Sequence, residues 1–222
     1  MMTKHVVVTG ANKGIGLNFC KQYLAQGYRV TAVVRTPSEE LKTLDVKIIS
    51  DIDVADADDV ATLTNYLHGD KIDILVNNAG IFHNETLADM DFAAIEKQIS
   101  VNSIAPIRIT HALQQSLGID AKVAMITSRM GSIADNSSGG YIGYRMSKAA
   151  LNAASVSLAH ELKDKKIAVG LFHPGFVQTQ MVNFAGDISP ETAAERLIKR
   201  IDELNLSNTG GFWHSNGETL PW

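Results

Sequence analysis

The sequence predicts an α/β fold: a doubly wound parallel sheet of about seven strands in three αβα layers, forming one domain over residues 1–222. Three observations predict it. Short β-branched runs alternate with longer stretches of helical periodicity. The strand runs are almost continuously apolar, which indicates burial on both faces and therefore helices above and below a parallel sheet. A chain of 222 residues without a linker-like stretch suits one domain.

The elements follow in order along the chain. The predicted strands are the runs HVVVTG, RVTAVVR, VKIISDI, IDILVNNAG, KVAMITS and IAVGLFHPG, with an edge strand around GGFWHS. Apolar residues at helical spacing predict helices over Ile15 to Gln26, Ala57 to Leu67, Phe92 to Leu117, Tyr144 to Lys163 and Glu191 to Asn205. The last helix has a serine cap and a proline at its first position, Ser189 and Pro190.

Composition argues against several classes of function. The formal charge is -4 with mixed signs along the chain, so no basic stripe indicates nucleic-acid or acidic-membrane partners. Apolar runs are far shorter than the roughly 20 residues that span a bilayer, and the first residues lack the apolar segment of a signal peptide. The single cysteine, Cys20, and histidines without metal-ligand spacing predict neither an internal disulfide nor a metal site. We expect a cytoplasmic protein.

A glycine-rich segment follows the first strand, where ligands bind in such folds. In VVVTGANKGIGLNFC, Gly10, Gly14 and Gly16 separate a strand from a helix. Glycine lets the backbone approach a ligand closely, and a helix N-terminus attracts phosphate. The spacing is GxxxGxG rather than GxGxxG, and an ordinary glycine-rich turn is the alternative. The interpretation is a site for a dinucleotide pyrophosphate.

Charged residues near two strand ends indicate which dinucleotide is bound. Arg35 ends the second strand, where an acid would mark NAD, and Lys13 lies in the glycine loop. Two positive groups favour the 2′-phosphate of NADP(H), although both could be ordinary surface charges. After the third strand, Asp53 and Val54 are candidates to bracket the adenine, or else part of an ordinary turn.

Tyr144 and Lys148 lie four residues apart and therefore on one face of a predicted helix. A nearby ammonium favours the phenolate, so the lysine is expected to lower the pKa of the tyrosine toward working pH. Upstream, Thr127 and Ser128 end a buried strand, where a hydroxyl can donate to a substrate carbonyl. Either feature alone has an ordinary structural explanation.

These motifs together resemble the classical short-chain dehydrogenase/reductases, a Rossmann-type family, over essentially the whole chain. TGxxxGIG appears as Thr9 to Gly16, NNAG as Asn77 to Gly80, and HPGFVQT from His173 to Thr179 is similar to the family's PG motif. The resemblance implies four catalytic residues: Asn102, Ser128, Tyr144 and Lys148. With the residue chemistry it implies these cofactor contacts: Gly10, Asn12, Lys13, Gly14, Ile15, Gly16, Arg35, Asp53, Val54, Asn78, Ala79, Gly80, Tyr144, Lys148, Pro174, Gly175, Val177 and Thr179.

Two details point to a branch of this family. The numbering separates Ser128 from Tyr144 by sixteen positions, and the chain ends GETLPW. Both resemble C-factor-like and small carbonyl-reductase-like members. The longer spacing makes Ser132 a rival for the hydroxyl role, but Ser128 is favoured because it follows the strand directly.

The resemblance implies an NADPH-dependent oxidoreductase that interconverts a ketone or aldehyde with an alcohol. Tyr144 is the expected acid, Ser128 holds the carbonyl oxygen, Lys148 tunes the tyrosine, and Asn102 supports a proton-relay water. The alternative is an NADP(H)-binding regulatory or signalling protein with little turnover. A nucleotide-sugar epimerase needs a larger substrate domain than the residues after Pro174 provide. The expected partners are a small-molecule substrate and further copies of the chain, in a homodimer or homotetramer.

Overall fold

Seven parallel strands form the centre of the computed structural model, which describes residues 3–222. Their order across the sheet is β3-β2-β1-β4-β5-β6-β7, and every neighbouring pair is parallel. The strands are β1 (His5–Thr9), β2 (Arg29–Val33), β3 (Lys47–Ile49), β4 (Ile72–Asn77), β5 (Leu117–Ile126), β6 (Ala168–His173) and β7 (Phe212–His214). The predicted seven-stranded parallel sheet is confirmed.

Helices cover both faces of this sheet. They are α1 (Gly14–Ala25), α2 (Glu39–Lys42), α3 (Ala57–Tyr66), α4 (Phe92–Ile99), α5 (Ala105–Leu113), α6 (Ile142–Leu162) and α7 (Pro190–Glu203). Within β1, Val7 packs into the core beneath α3, α5 and α6, whereas Val6 and Val8 pack into the core beneath α1 and α7. Both faces of each central strand are therefore buried, which explains the continuous apolar runs.

The strand order reverses beside β1, and this reversal positions the candidate site. β1 pairs with β2 on one side and with β4 on the other. The loops that leave the carboxyl ends of β1 and β4 therefore diverge, and a crevice forms between them. The glycine loop follows β1 and the NNAG segment follows β4, so both motifs lie at this crevice.

The prediction of a single helix over Phe92 to Leu117 is wrong. A π-helical turn, Ser100–Ile104, separates α4 from α5, and α5 ends at Leu113. Pro106 lacks the N–H that a regular α-helix would use at the start of α5, which favours the wider turn before it. β5 also begins at Leu117, five positions before the predicted Lys122.

Two further elements differ from the prediction. α2 is a one-turn helix that the sequence analysis did not include, and the Ser38 side chain caps it. The third strand is confined to Lys47–Ile49, much shorter than the predicted run. Within residues 3–222, none of the helices combines the length and apolarity needed to cross a bilayer.

Candidate active site

The loops after β1 and β4 are hydrogen-bonded to each other where they leave their strands. Gly10 has a φ of 64°, and a Cβ there would lie 2.7 Å from the Ala79 Cα. The Asn78 side chain donates to the carbonyls of Thr9 at 3.0 Å and Gly10 at 3.2 Å. The Thr9 hydroxyl accepts from the backbone N–H groups of Asn78 and Ala79. Gly10 therefore has to be glycine for both conformation and space.

The N-terminus of α1 is open to a ligand. Its N-cap, Lys13, has an extended backbone and makes no side-chain capping bond, and the first turn carries no acidic residue. A Cβ on Gly16 would lie 2.2 Å from the Gly10 carbonyl oxygen, so the glycine loop curls tightly over this helix end. Backbone N–H groups at such a helix end, with the partial positive charge of the helix, bind phosphate. Ile15 lies in this first turn and packs partly against the core.

Lys13 and Arg35 occupy different surroundings. The Lys13 ammonium donates to the side chain of Gln180, in the segment after β6. Arg35 is exposed just beyond β2, and its carbonyl accepts from the Asp51 N–H at 2.9 Å. Asn12 connects the two regions, because its carbonyl accepts from the Ser38 hydroxyl at 2.8 Å. Ser38 is thus a site-framing residue that the sequence analysis missed, since a serine after a strand carries no distinctive signal.

The adenine-side candidates are arranged by a local turn. The Asp53 carboxylate accepts from the Ala55 N–H at 3.0 Å, and the Asp53 N–H donates to Asp59 at 2.8 Å. The Val54 side chain is buried in the core. Any contact that Val54 makes with a ligand is therefore left to its backbone.

Tyr144, Lys148 and Ser128 meet at the carboxyl edge of the sheet. Tyr144 and Lys148 lie in the first two turns of α6, with the Lys148 Nζ 5.8 Å from the centre of the Tyr144 ring. The Ser128 side chain lies close enough to the Tyr144 phenol to lower the pKa of that phenol. The Lys148 ammonium donates to the Ile126 carbonyl, at the end of β5, at 2.9 Å. One strand end and one helix thus hold all three groups.

Burial shifts the pKa values of the tyrosine and the lysine in opposite directions. Desolvation raises the pKa of Tyr144 to about 12, against a smaller lowering by the Ser128 hydrogen bond. Desolvation lowers the pKa of Lys148 from 10.5 to about 8. The expectation that the ammonium lowers the tyrosine pKa is not met in this structure, because desolvation has the largest effect on the phenol.

Asn102 connects the π-helical turn to the loop after β4. Its side-chain oxygen accepts from the Ile81 N–H at 2.8 Å, and its amide donates to the Ile81 carbonyl at 2.9 Å and the Ser147 hydroxyl at 3.0 Å. A Cβ on Gly80 would lie 3.3 Å from the Asn102 side-chain oxygen and 3.9 Å from the Lys148 Nζ. Asn102, Gly80 and Lys148 are therefore neighbours, and the Asn102 side chain is committed to protein partners.

The segment after β6 returns toward the glycine loop. Pro174 and Gly175 follow the strand, with Gly175 at a φ of 96°. The buried Val177 pairs with Ile188. A Cβ on Gly14 would lie 3.3 Å from the Thr179 methyl group, so this segment touches the glycine loop. The PG segment thus forms a second wall of the crevice.

Ser132 and Ser128 have different roles in the loop after β5. The Ser132 hydroxyl accepts from the Asp135 N–H at 3.0 Å and is buried within the loop. The Ser128 hydroxyl accepts from the Met130 N–H at 3.1 Å and also contacts the tyrosine. Ser128 therefore faces the candidate acid, whereas Ser132 shapes the loop.

Phe82 is a site residue that the sequence analysis missed. Its ring meets the Tyr144 ring edge-on at a centroid distance of 4.9 Å. It also packs against Tyr141 at 5.3 Å. A lone phenylalanine two positions after NNAG gives no sequence signal, because its role depends on how α6 crosses that loop.

Comparison with known proteins places this site in a family. The family model described as short chain dehydrogenase matches residues 4–190. The chain is similar to the 1-hydroxy-2-glutathionyl-2-methyl-3-butene dehydrogenase of Rhodococcus sp. (strain AD45), at 36% identity over 98% of this chain and 99% of that protein. It is also similar to the C-signal protein of Myxococcus xanthus, at 38% identity over 73% of this chain and 99% of that protein.

A solved structure shows the same architecture over the full chain. The NADPH-bound carbonyl reductase from chicken fatty liver superposes with a TM-score of 0.88 at 26% identity, covering 100% of both chains. The family match, the near full-length relative and this structural likeness agree with the resemblance seen in the sequence motifs. The chain therefore belongs to the short-chain dehydrogenase family, among its carbonyl-reductase-like members.

Proposed function

We propose that this oxidoreductase uses NADPH to reduce a ketone or aldehyde to an alcohol, or catalyses the reverse reaction, with Tyr144 as the general acid or base. One observation carries the proposal. The Tyr144 phenol lies beside Ser128, and the Lys148 ammonium lies 5.8 Å from the centre of its ring, at the sheet edge that also carries the glycine loop. This arrangement brings a proton donor, a hydrogen-bond donor and a cation close together. The reduction of a carbonyl group needs these three kinds of group.

The crevice is proposed to bind a dinucleotide. The uncapped start of α1 and the glycine loop offer backbone N–H groups to a pyrophosphate. Arg35 and Lys13 are proposed to favour the 2′-phosphate of NADP(H) over the free hydroxyl of NAD(H). Asp53 is the candidate on the adenine side, and Pro174 on the nicotinamide side. The NADPH bound to the structurally similar chicken carbonyl reductase supports this assignment.

The cofactor, when bound, supplies a hydride to the carbonyl carbon of the substrate. The remaining steps belong to the side chains. The Ser128 hydroxyl donates to the carbonyl oxygen and stabilises the charge that develops there. Tyr144 transfers its phenolic proton to that oxygen. With a pKa of about 8, Lys148 is largely charged at neutral pH and stabilises the phenolate that remains.

Asn102 has a supporting part in this scheme. Its side chain fixes the Ile81 backbone, next to Gly80 and the lysine. We also propose that a water near the π-helical turn relays protons to Lys148. Such a turn widens the backbone spacing where a helix passes a functional site.

A second candidate function is regulatory or signalling, through cofactor binding with little turnover. The similarity to the C-signal protein of Myxococcus xanthus favours it, because that relative is named for a signal rather than a reaction. The presence of Asn102, Ser128, Tyr144 and Lys148 favours the enzyme. We further propose a cytoplasmic homodimer or homotetramer, which size-exclusion chromatography with light scattering would test.

The function is tested by following the loss of NADPH absorbance with a panel of ketones and aldehydes. The expected result is turnover of at least one carbonyl compound with NADPH, and slower turnover with NADH. Tight NADPH binding without turnover across a broad panel would favour the regulatory candidate. Binding of neither cofactor would contradict both.

A further inference from the structure

The helix that carries Tyr144 begins without a cap of its own. Tyr141 occupies the cap position in a left-handed conformation with a φ of 54°, its side chain makes no capping bond, and no acidic residue lies in the first turn. By contrast, Asp56 caps α3 and Ser189 caps α7 through their own side chains. A helix start leaves backbone N–H groups that need partners when water is excluded.

Glu85, from the loop after β4, supplies the missing partners. It is fully buried. One carboxylate oxygen accepts from the Gly143 N–H at 3.0 Å, and its backbone carbonyl accepts from the Ile142 N–H at 3.4 Å. The other carboxylate oxygen accepts from the Gln98 side chain at 2.6 Å and contacts the His83 ring at 3.1 Å. A buried carboxylate is costly unless it is bonded in this way, and the positive end of a helix favours it.

Position 143 requires glycine for this contact with Glu85. A Cβ there would lie 2.8 Å from the Gln98 side-chain nitrogen, 2.8 Å from the Ile95 Cγ1 and 3.0 Å from the Glu85 carboxylate. Only glycine lets the helix backbone approach Glu85 and α4 this closely. Tyr144 is the next residue, so the position of its backbone is set by this contact.

Neighbours of Glu85 in the same loop also contact the Tyr144 ring and the turn before α6. The Asn84 side chain accepts from the Tyr141 N–H at 3.1 Å, which stabilises the unfavourable left-handed backbone. Phe82 packs against both Tyr141 and Tyr144. We call residues 82–85 the clamp segment. It contacts the helix start through polar bonds and the catalytic candidate through its aromatic ring.

We propose that Glu85 is a positioning residue for Tyr144: by capping α6 from a distant loop, it holds the tyrosine where its phenol meets Ser128. The proposal rests on the proposed function, in which Tyr144 is the acid. Glu85 bonds to Gly143, Gln98 and His83 rather than to Ser128 or Lys148, and it is not proposed to exchange a proton in the reaction. Its effect passes through the Gly143 N–H and the first turn of the helix.

The kinetic test compares Glu85→Ala and Glu85→Gln with the wild type in NADPH-dependent carbonyl reduction. We expect Glu85→Ala to lower kcat by about 10- to 100-fold, because a small misplacement of a reacting group has such effects. The Kd for NADPH should change far less than kcat, because most of the proposed cofactor contacts lie outside α6. Glu85→Gln keeps an oxygen for the Gly143 N–H and should restore part of the activity.

Two controls separate positioning from general loss of stability. Ile201→Val truncates a fully buried residue of α7, on the other face of the sheet, and should lower Tm by a few degrees with kcat unchanged. In the Tyr144→Phe background, Glu85→Ala should have little further effect on residual turnover, because both changes act through one group. Equal losses in both backgrounds would overturn the proposal.

A second readout does not depend on activity. NMR of protein labelled at the tyrosine ring carbon bearing the hydroxyl reports the titration of Tyr144, assigned by its absence in Tyr144→Phe. In the wild type, burial holds this pKa at about 12. Glu85→Ala should bring it down toward the ordinary value of 10.0 as the phenol leaves its desolvated position. If Glu85→Ala unfolds, Gly143→Ala is substituted for it, with the same expectation.

The outcomes distinguish the two claims. A wild type that binds NADPH but turns over no carbonyl compound contradicts the proposed function, and the tyrosine titration still decides the role of Glu85. A folded Glu85→Ala protein whose Tyr144 titration matches the wild type overturns the positioning role. In an active wild type, an unchanged kcat in that variant overturns it as well.

Discussion

The Lys148 ammonium donates to the Ile126 carbonyl at 2.9 Å while lying 5.8 Å from the centre of the Tyr144 ring. The lysine is therefore anchored to the end of β5 rather than bonded to the tyrosine. Its side chain is almost completely buried. This placement fixes a cation close to the phenol, but desolvation lowers the pKa of the lysine itself to about 8.

The depressed lysine pKa predicts how stability depends on pH. The folded state binds this proton more weakly than the unfolded chain, so the group destabilises the fold below its folded pKa of about 8, and this penalty is lost as pH rises toward 10.5. Relative to Lys148→Met, the wild-type free energy of unfolding should rise by about 2 kcal/mol from about pH 7 to about pH 9.5. Urea denaturation at a series of pH values measures this difference. A constant difference between the two proteins would show that the lysine is not desolvated.

The two serines of the loop after β5 should differ in effect. Ser128→Ala removes the hydroxyl beside Tyr144 and should lower kcat by about 10²- to 10³-fold, as loss of one donor to a developing oxyanion does. Ser132→Ala removes an acceptor for the Asp135 N–H and should lower stability by about 1 kcal/mol with kcat within a few-fold of the wild type. Steady-state kinetics and thermal melts on both variants measure these effects. A large loss of kcat in Ser132→Ala with little loss in Ser128→Ala would assign the hydroxyl role to Ser132.

The glycine loop gives a matched pair of substitutions. Gly10→Ala places a methyl group against the Ala79 backbone in addition to the strain of a positive φ, so it should destabilise by more than about 2 kcal/mol and abolish NADPH binding. Gly27 has a φ of 80° but nothing within 4 Å of an added Cβ. Gly27→Ala should therefore cost only about 1–2 kcal/mol and leave NADPH binding unchanged. Binding titrations and denaturation curves measure both effects, and unchanged NADPH binding in folded Gly10→Ala would exclude the glycine loop as the pyrophosphate site.

Cofactor preference tests the proposed role of Arg35. Arg35→Asp places a carboxylate where the 2′-phosphate is proposed to bind, so NADPH affinity should fall by at least about tenfold while NADH affinity rises. Fluorescence titrations with both cofactors on the wild type and the variant measure this. Equal affinities for NADPH and NADH in both proteins would make Arg35 an ordinary surface charge.

Most of the fold follows from local patterns in the sequence. Continuous apolar runs such as HVVVTG have to be buried on both faces, which requires a parallel sheet with two helical layers. The break between α4 and α5 was not visible, because helical periodicity continues through the π turn and only Pro106 hints at it. The one-turn helix α2 was missed because four residues are too few to show a period.

The sequence predicts those site residues that lie within one motif. It does not predict residues that reach the site only through packing of distant segments. Tyr144 and Lys148 share a helix, so their spacing alone places them together. Phe82 and Glu85 contact α6 from a loop about sixty positions earlier, and only the folded chain shows this relation. The raised tyrosine pKa could not be foreseen either, because it depends on how completely the phenol is desolvated.

Tyr144 is proposed to carry the proton in an NADPH-dependent carbonyl reduction. The most direct measurement is steady-state kcat for Tyr144→Phe beside its NADPH titration. We expect kcat to fall by about 10²- to 10⁴-fold while the Kd for NADPH stays within about twofold of the wild type. Wild-type turnover in the folded variant would contradict the assignment of Tyr144 as the acid.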